Sequence, residues 1–325
     1  MEHHVKGNSI WPWVDALADL HRDDDGPAHS PPWPKISIVT PNFNYGELVE
    51  TTIRSVLVQG YPNLEYIVID DGSTDGSVAA IEPYRSRLAY FEHQENQGQY
   101  PAINKGFAHA TGDVFGWINS DDVYLPWTLR AVGTIFARHP EVQWVTGHPC
   151  RIHEGTVHTV GRLTPYPREV VREGFFHGGP GGVGWIQQES CFWRRSLWET
   201  AGPLRTELRY AADYELWTRF ARHADLYAAS TILGGFSVRG QQNRSIANRG
   251  RYIEEVNRVF AEIGAAKGSR QADLRRALAA YKRVERLPGV RGAVRRLLGL
   301  KRLKGPVMKW DFDQAMYRVY HKSFY

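Results

Sequence analysis

A short apolar run followed directly by polar and acidic residues is the stretch of this sequence best suited to chemistry. Residues 114–118 read Val-Phe-Gly-Trp-Ile, and Asn119, Ser120, Asp121 and Asp122 follow. A strand buried on both faces reads as a continuous apolar run, and in α/β sheets ligands bind beyond the carboxyl ends of the strands. Two adjacent carboxylates repel each other, and a divalent cation relieves that repulsion. Oxygen ligands favour Mg²⁺ or Mn²⁺; capping of the next helix by either aspartate is the alternative.

Three further loops that follow predicted strands carry small polar residues, an aromatic ring or acids. They are residues 40–44 (Thr-Pro-Asn-Phe-Asn), 70–75 (Asp-Asp-Gly-Ser-Thr-Asp) and 96–98 (Asn-Gln-Gly). If the strands are parallel neighbours, all of these loops meet at one edge of the sheet. An aromatic ring, a carboxylate acceptor and a metal suit the base and the diphosphate of a nucleotide. The sequence therefore predicts a nucleotide site at this edge.

Strands and helices alternate through the first half of the chain. The apolar spacing predicts strands over residues 36–40, 64–70, 88–92, 114–118 and 142–145, and helices over 46–59, 102–110 and 126–139. This alternation predicts a mostly parallel sheet covered by helices on both faces. Further along, we predict a hairpin over 151–161, a glycine-rich loop over 175–185, strands over 188–193 and 226–238, and helices over 195–200 and 213–223.

Composition indicates a soluble globular protein with an unusually basic C-terminal segment. The chain is 42% hydrophobic and 23% charged, and its two cysteines, Cys150 and Cys191, favour a reducing cytoplasmic setting over a disulfide framework. No run approaches the ~18 apolar residues that span a bilayer. Residues 282–304 contain nine basic residues and one acid. This segment predicts an interfacial helix on anionic lipid, or else a basic helix packed on the protein; it has too few aromatics to indicate nucleic acid.

Several linked motifs between residues 35 and 245 resemble the family 2 glycosyltransferases. They read SIVTPNFN (37–44), VIDDGSTDGS (68–77), AINKGFAHATGD (102–113), GWINSDD (116–122), QQESCFWRRSLWETAG (187–202) and YAADYELWTRF (210–220). The resemblance implies the α/β GT-A (Rossmann-like) fold, with a mostly parallel central sheet flanked by helices. It implies four parts: an N-terminal arm (1–34), a nucleotide-sugar-binding half (35–147), an acceptor-binding half (148–247) and a helical, basic C-terminal extension (248–325).

The resemblance also implies an activity and a role for individual residues. It implies inverting transfer of a sugar from a nucleotide-sugar donor, expected to be a UDP-sugar, to a glycan or lipid-linked acceptor in surface polysaccharide or glycan synthesis. Asp213 matches the general base, Asp122 the Mn²⁺ or Mg²⁺ ligand and Asp71 the residue that reads the base. The remaining nucleotide contacts implied are Thr40, Pro41, Asn42, Phe43, Gly98, Asn104 and Asp121, and the implied sugar or acceptor contacts are Asn119, Trp185, Gln188, Glu189 and Gln241.

Other roles stay open for some of these residues. Asp213 opens a predicted helix, where an N-cap role would also explain it, and Glu189 would also suit a solvated strand. Many relatives have an acid at the position of Asn119 and a histidine near the metal at the position of Gln241, so we expect the metal site to depend on Asp122. A non-catalytic module that binds a sugar nucleotide or a glycan is the alternative function. The expected location is the cytoplasm, at the inner face of the membrane if the basic segment binds lipid.

Overall fold

A nine-stranded sheet forms the centre of the protein in the computed structural model, which describes residues 32–153, 155–160, 163–240, 243–284, 290–314 and 316–324. Across these residues the strands, in chain order, are β1 (Ile36–Asn42), β2 (Leu64–Asp70), β3 (Tyr90–His93), β4 (Val114–Trp117), β5 (Val123–Tyr124), β6 (Trp144–Thr146), β7 (Cys150–His153), β8 (Thr156–Thr159), β9 (Cys191–Arg194), β10 (Leu226–Ala229), β11 (Gly234–Ser237), β12 (Lys304–Asp311) and β13 (Met316–Ser323). The α-helices are Gly46–Leu57, Ser77–Ile81, Gln99–His109, Thr128–Arg138, Arg168–Arg172, Arg195–Ala201, Ala212–His223, Arg244–Ala247, Arg249–Ala265, Gln271–Val284 and Val290–Leu297.

The order of strands in the central sheet brings the predicted loops to one edge. The order is β13-β12-β10-β6-β9-β4-β1-β2-β3. β1 pairs in parallel with both β2 and β4, and β2 pairs in parallel with β3. The chain therefore leaves β1, β2, β3 and β4 at the same edge. This arrangement confirms the predicted α/β class, and a smaller sheet, β5-β11-β7-β8, lies beside it and includes the predicted hairpin.

Both faces of the central sheet are covered by apolar side chains. One face carries a tryptophan cluster in which Trp117 and Trp217 stack with ring centroids 5.9 Å apart, and Trp193 contacts both. All three rings are fully buried, so these tryptophans belong to the core. On the same face the helix Gln99–His109 approaches β1 closely, because a Cβ atom on Gly106 would come within 2.4 Å of the Val39 side chain. This contact sets the position of the helix whose N-terminus borders the sheet edge.

The C-terminal extension differs from the predicted helical segment. Its helices include Arg249–Ala265, Gln271–Val284 and Val290–Leu297, but Lys304–Asp311 and Met316–Ser323 form an antiparallel hairpin whose first strand pairs in parallel with β10. Tyr317, Val319 and Tyr320 are aromatic or β-branched residues, which are enriched in strands. Two adjacent fully buried residues, Val307 and Met308, fix the hairpin against the sheet.

Three further sequence predictions concern the N-terminal arm, a membrane-spanning helix and the division of the chain into two halves. Most of the predicted arm, residues 1–31, lies outside the described residues, and Trp33 packs edge-on against Tyr61 with ring centroids 5.4 Å apart. Within the described ranges no helix is long and apolar enough to cross a membrane. The division into two functional halves stays a prediction.

The buried contact of the hairpin gives a direct stability test. We expect Met308→Ala to lower the free energy of unfolding by about 2–5 kcal/mol, because Met308 is fully buried and the substitution leaves a cavity. The matched control is Phe312→Ala on the same hairpin; its side chain is 88% exposed, so we expect a change within about 0.5 kcal/mol. Urea unfolding measures both. Equal effects would mean that the hairpin does not stabilise the sheet.

Candidate functional site

A cavity of about 1590 Å³ lies at the edge of the sheet where β1, β2, β3 and β4 end. The loops after these strands form one side of it. The other side comes from residues 185–189, from residues 206–213 and from the segment that leads from β11 into the helix Arg249–Ala265. Residues from both predicted halves of the chain therefore line one continuous space.

Three acids form a buried cluster at the floor of the cavity. They are Asp121, Asp122 and Glu189, and all three carboxylates are almost entirely shielded from solvent. Burial and the repulsion from Asp121 and Glu189 raise the pKa of Asp122 well above its usual range. Burial raises the pKa of Glu189 to about 7. The cluster therefore has an excess of negative charge for a buried site, which favours a bound cation.

Hydrogen bonds hold the residues around this cluster in place. Asp122 Oδ1 accepts from the backbone N–H of Ser237 at 2.9 Å. The Asn119 side chain accepts from Gln99 Nε2 at 2.8 Å and donates to Gln188 Oε1 at 3.1 Å. The Asn119 amide is also 3.4 Å from Asp122 Oδ2. The network fixes the direction of the Asp122 carboxylate before any ligand binds.

Asp213 lines the same cavity. Its Oδ1 atom is buried and has no hydrogen-bond partner among the described residues. Burial raises the pKa of Asp213 to about 6, and the backbone N–H of Tyr214 partly offsets this effect. A carboxylate with this pKa is ionised at pH 7 and is close to the optimum for accepting a proton, so Asp213 has the properties of a general base.

The helix-capping alternatives for these acids are not supported. The helix that follows β5 begins at Thr128 after Trp127, well beyond Asp121 and Asp122. The helix Ala212–His223 has Ala211 at its N-cap, with no side-chain cap hydrogen bond. Glu189 is buried, so it is not a solvated strand residue either.

The nucleotide end of the cavity is formed by the loops after β1 and β2. Phe43 is 44% exposed and lines the cavity, as a ring that stacks on a base would. Asp71 Oδ2 accepts from the backbone N–H of Gly98 at 2.7 Å, while its Oδ1 accepts from Gln97 N–H and from Gln94 Nε2. Asp71 thus fixes the loop before the helix Gln99–His109, and base reading by this residue stays a prediction.

Most of the predicted site residues lie together, but two do not. Thr40 is fully buried and pairs with the Tyr66 hydroxyl at 3.0 Å, away from the cavity. Asn104 points to the backbone of Leu204, with bonds of 2.9 and 3.0 Å, so it joins two segments and is not a nucleotide contact. Gln241 lies outside the described residues. The predicted residues that line the cavity are Pro41, Asn42, Phe43, Asp71, Gly98, Asn119, Asp121, Asp122, Trp185, Gln188, Glu189 and Asp213.

Arg239 is a site residue that the sequence analysis missed. Its guanidinium forms an ion pair with Asp121 and lies over the Tyr45 ring, 5.4 Å from the centroid. Asn243 supports it, because its side chain accepts from Arg239 N–H at 2.6 Å and donates to the Ser237 carbonyl at 2.8 Å. The sequence feature that could have indicated this role is that Arg239 closely follows β11, the strand that pairs with β5 next to Asp122.

The ion pair between Arg239 and Asp121 predicts a stability effect that depends on cations. We expect Arg239→Met to lower the free energy of unfolding by about 2–4 kcal/mol, because it leaves the Asp121 carboxylate buried without a partner. Mn²⁺ with UDP should restore part of that loss by supplying a cation. The control is Arg195→Met, whose exposed pair with Glu199 should contribute about 0–1 kcal/mol. Equal losses in the two variants would argue against the buried pair.

Comparisons with known proteins identify the family. A sequence profile described as Glycosyl transferase family 2 matches residues 37–175. An uncharacterized glycosyltransferase of Rickettsia typhi is 26% identical over 217 residues, which is 66% of this chain and 67% of that protein. The chain therefore contains a glycosyltransferase family 2 domain over residues 37–175. An uncharacterized glycosyltransferase of Nostoc sp. is 37% identical over 105 residues, which is 31% of this chain and 33% of that protein. The match therefore covers only a third of that relative.

Solved structures confirm the GT-A architecture of this glycosyltransferase. S. aureus TarS 1-349, in complex with UDP-GlcNAc, superimposes with a TM-score of 0.58 at 17% identity and covers 78% of this chain and 73% of its own. The mannosyltransferase PcManGT from Pyrobaculum calidifontis, in complex with GDP-Man and Mn²⁺, has a TM-score of 0.54 at 18% identity, with 88% and 86% covered. At this level of identity the likeness shows the fold alone.

The oxygen donors around Asp122 fit a divalent cation whose remaining coordination positions are filled by the phosphates of a bound nucleotide. Among the described residues no three His, Cys, Asp or Glu side chains are grouped so that they could hold a metal ion by themselves. Mg²⁺ and Mn²⁺ sites in nucleotide-binding proteins commonly use one or two carboxylates and the phosphates of the substrate. The buried Asp122 carboxylate, beside Asp121, supplies that kind of ligand.

Proposed function

We propose that this protein transfers a sugar from a nucleotide-sugar donor to an acceptor hydroxyl, with inversion at the anomeric carbon. The observation that carries the proposal is that Asp122 and Asp213 line the same cavity. A nucleoside diphosphate beside Asp122 and an acceptor beside Asp213 would place the transferred sugar between the two carboxylates.

In this proposal the chain's own residues perform three tasks. Phe43 and the loop after β2 hold the nucleotide, and Asp122 holds the cation. Asp213 accepts the proton of the acceptor hydroxyl as that oxygen attacks the anomeric carbon; such help contributes about 10²–10⁴-fold to the rate. A bound Mn²⁺ or Mg²⁺ offsets the charge on the departing nucleoside diphosphate. A single displacement with one base inverts the anomeric centre.

The donor and the metal are tested together. We propose a UDP-sugar as the donor and Mn²⁺ or Mg²⁺ as the cofactor; GDP-Man is included in the panel because the Pyrobaculum mannosyltransferase binds it. The purified protein is incubated with UDP- and GDP-sugars, with and without each metal, and the release of nucleoside diphosphate is measured. Metal-dependent release with one donor supports the proposal. No release and no binding with any donor would refute it.

A non-catalytic module that binds a sugar nucleotide or glycan is the second candidate. It would share the fold and the nucleotide end of the cavity but would have no use for a base with a raised pKa. The unpartnered Asp213 Oδ1 atom therefore favours the enzyme.

The basic segment supports a further proposal about location. We propose that the protein acts in surface polysaccharide or glycan synthesis at the inner face of the cytoplasmic membrane, on a glycan or lipid-linked acceptor. The Leu297 side chain is 86% exposed beside Arg296, although Leu298 packs on the core, so only part of the predicted apolar stripe is available to lipid. We expect flotation with vesicles that contain phosphatidylglycerol but not with neutral vesicles, and Leu297→Asp should reduce it. Equal flotation with both lipids would refute this location.

A further inference from the structure

The mouth of the cavity around Asp213 is bordered by arginines. Arg151, Arg209 and Arg249 are exposed and line the cavity. The cluster Asp121, Asp122 and Glu189, in contrast, is buried at the floor. The positive charges are therefore presented to an incoming molecule at the acceptor side.

Interactions with two tyrosines link Arg249 and a further arginine, Arg251, to the surroundings of Asp213. Arg251 Nη1 lies 3.5 Å from the hydroxyl of Tyr210, which is three residues before Asp213. Burial and the charge of Asp213 raise the pKa of Tyr252, and the charge of Arg249 lowers it. Tyr252 is thus close enough to Asp213 and to Arg249 to sense both charges. Arg249 Nη2 also donates to the Gly178 carbonyl at 3.1 Å, which holds it at the cavity wall.

The acid nearest to this border faces the backbone. Glu255 accepts hydrogen bonds from the N–H groups of Arg209 and Tyr210, both at 2.8 Å, and from Ala211 at 3.0 Å. It therefore fixes the segment that leads to Asp213.

Arg151 lies over the Trp185 ring, 5.9 Å from the ring centroid. A flat apolar surface and a cation are therefore adjacent at this part of the rim.

We propose that the acceptor is an acidic glycan, whose carboxylate or phosphate groups bind Arg209 and Arg249 while a sugar hydroxyl faces Asp213. This inference rests on the proposed glycosyltransferase function and names its acceptor class. Guanidinium groups form charge-assisted, often bidentate hydrogen bonds with carboxylates and phosphates. An uncharged glycan can accept hydrogen bonds from these groups but lacks the charge-assisted contribution, so the border favours acidic acceptors.

The test compares acidic and neutral probes of the same shape. Binding of trigalacturonate and of its methyl ester, and of glucose 6-phosphate and glucose, is measured by titration calorimetry with UDP and Mn²⁺ present to fill the donor end. We expect each acidic probe to bind at least about fivefold more tightly than its neutral partner at low salt, and the difference to shrink at high salt. The relative affinities of the two acidic probes distinguish a carboxylate acceptor from a phosphate acceptor.

Variants localise the effect. Arg209→Ala and Arg249→Ala should each weaken binding of the acidic probe by about 3–10-fold, and Arg249→Lys should retain most of it. Arg222→Ala is the control, because Arg222 is exposed outside the cavity. Equal binding of acidic and neutral probes, or an equal loss in Arg222→Ala, would overturn the inference. Absence of UDP binding in the same samples would instead refute the proposed donor.

Discussion

Replacement of Asp213 by asparagine is expected to reduce sugar transfer by about 10²–10⁴-fold while nucleotide binding stays unchanged. Asparagine has nearly the same shape but cannot accept the proton of an acceptor hydroxyl. Nucleotide binding should survive because Phe43, the loop after β2 and Asp122, and not Asp213, are the residues proposed to hold the nucleotide and the cation. The rate of release of nucleoside diphosphate with acceptor present measures the first effect, and titration with UDP measures the second.

The pH dependence of the same reaction tests the environment of Asp213. Because burial raises its pKa to about 6, kcat/KM should fall about tenfold per pH unit below that value as the base becomes protonated. The titratable groups that interact with it electrostatically include Glu189, Cys191, Glu255 and Tyr252. A decline with a midpoint near 4, the value of an ordinary aspartate, would contradict a buried base.

The same shift in pKa makes a prediction about stability. An acid whose pKa is higher in the folded than in the unfolded protein destabilises the fold as the pH rises from about 4 to about 6 and remains costly above that range. Asp213→Asn removes this cost, so at pH 7 the variant should be about 1–3 kcal/mol more stable than the unaltered protein, and the difference should vanish below pH 4.

Asp225→Asn is the matched control for these measurements. It makes the same change, aspartate to asparagine, just after the helix Ala212–His223 and outside the cavity. It should alter neither transfer nor the pH profile. Full transfer by Asp213→Asn would remove Asp213 from the mechanism as the general base, whereas nucleotide binding without any transfer by the unaltered protein would favour the binding-module alternative.

The parallel half of the sheet could be predicted from sequence because its strands are buried on both faces. Strands such as Leu64–Asp70 then read as continuous apolar runs, and the polar residues after each run mark the sheet edge. The C-terminal hairpin was missed for a related reason. The basic residues of 282–304 indicate a helical, basic extension, and no continuous apolar run marks Met316–Ser323, in which only Tyr317 is buried.

The candidate site was less accessible to sequence because its contacts join distant parts of the chain. The motif order places Asn104 near the nucleotide loop but does not say where the side chain points, and it points to Leu204. Likewise, nothing local to Asp121 indicates that Arg239, 118 residues later, neutralises it. The motif spacing in the sequence predicted the positions of Asp121 and Asp122. Their partners Ser237 and Arg239 depend on how β11 pairs beside them.

Asp122→Asn is the second prediction with a large expected effect, and it concerns the cation. The substitution removes the charge that a divalent cation needs but keeps an oxygen to accept the Ser237 N–H, now 2.9 Å from Asp122 Oδ1, so the fold should be retained. We expect a fall in transfer of about 10²-fold or more, and loss of the Mn²⁺ dependence of UDP binding. Thermal unfolding with and without Mn²⁺ and UDP measures the coupling between metal and nucleotide.

Asp75→Asn separates this effect from a general loss of negative charge in the cavity. Asp75 also lines the cavity, but its Oδ1 accepts the backbone N–H of Ser77 at 2.9 Å, a turn role that asparagine can fill. Metal dependence should therefore persist in Asp75→Asn and disappear in Asp122→Asn. If both variants keep it, the cation is bound elsewhere, and the excess negative charge of Asp121, Asp122 and Glu189 must be relieved by protons and by Arg239.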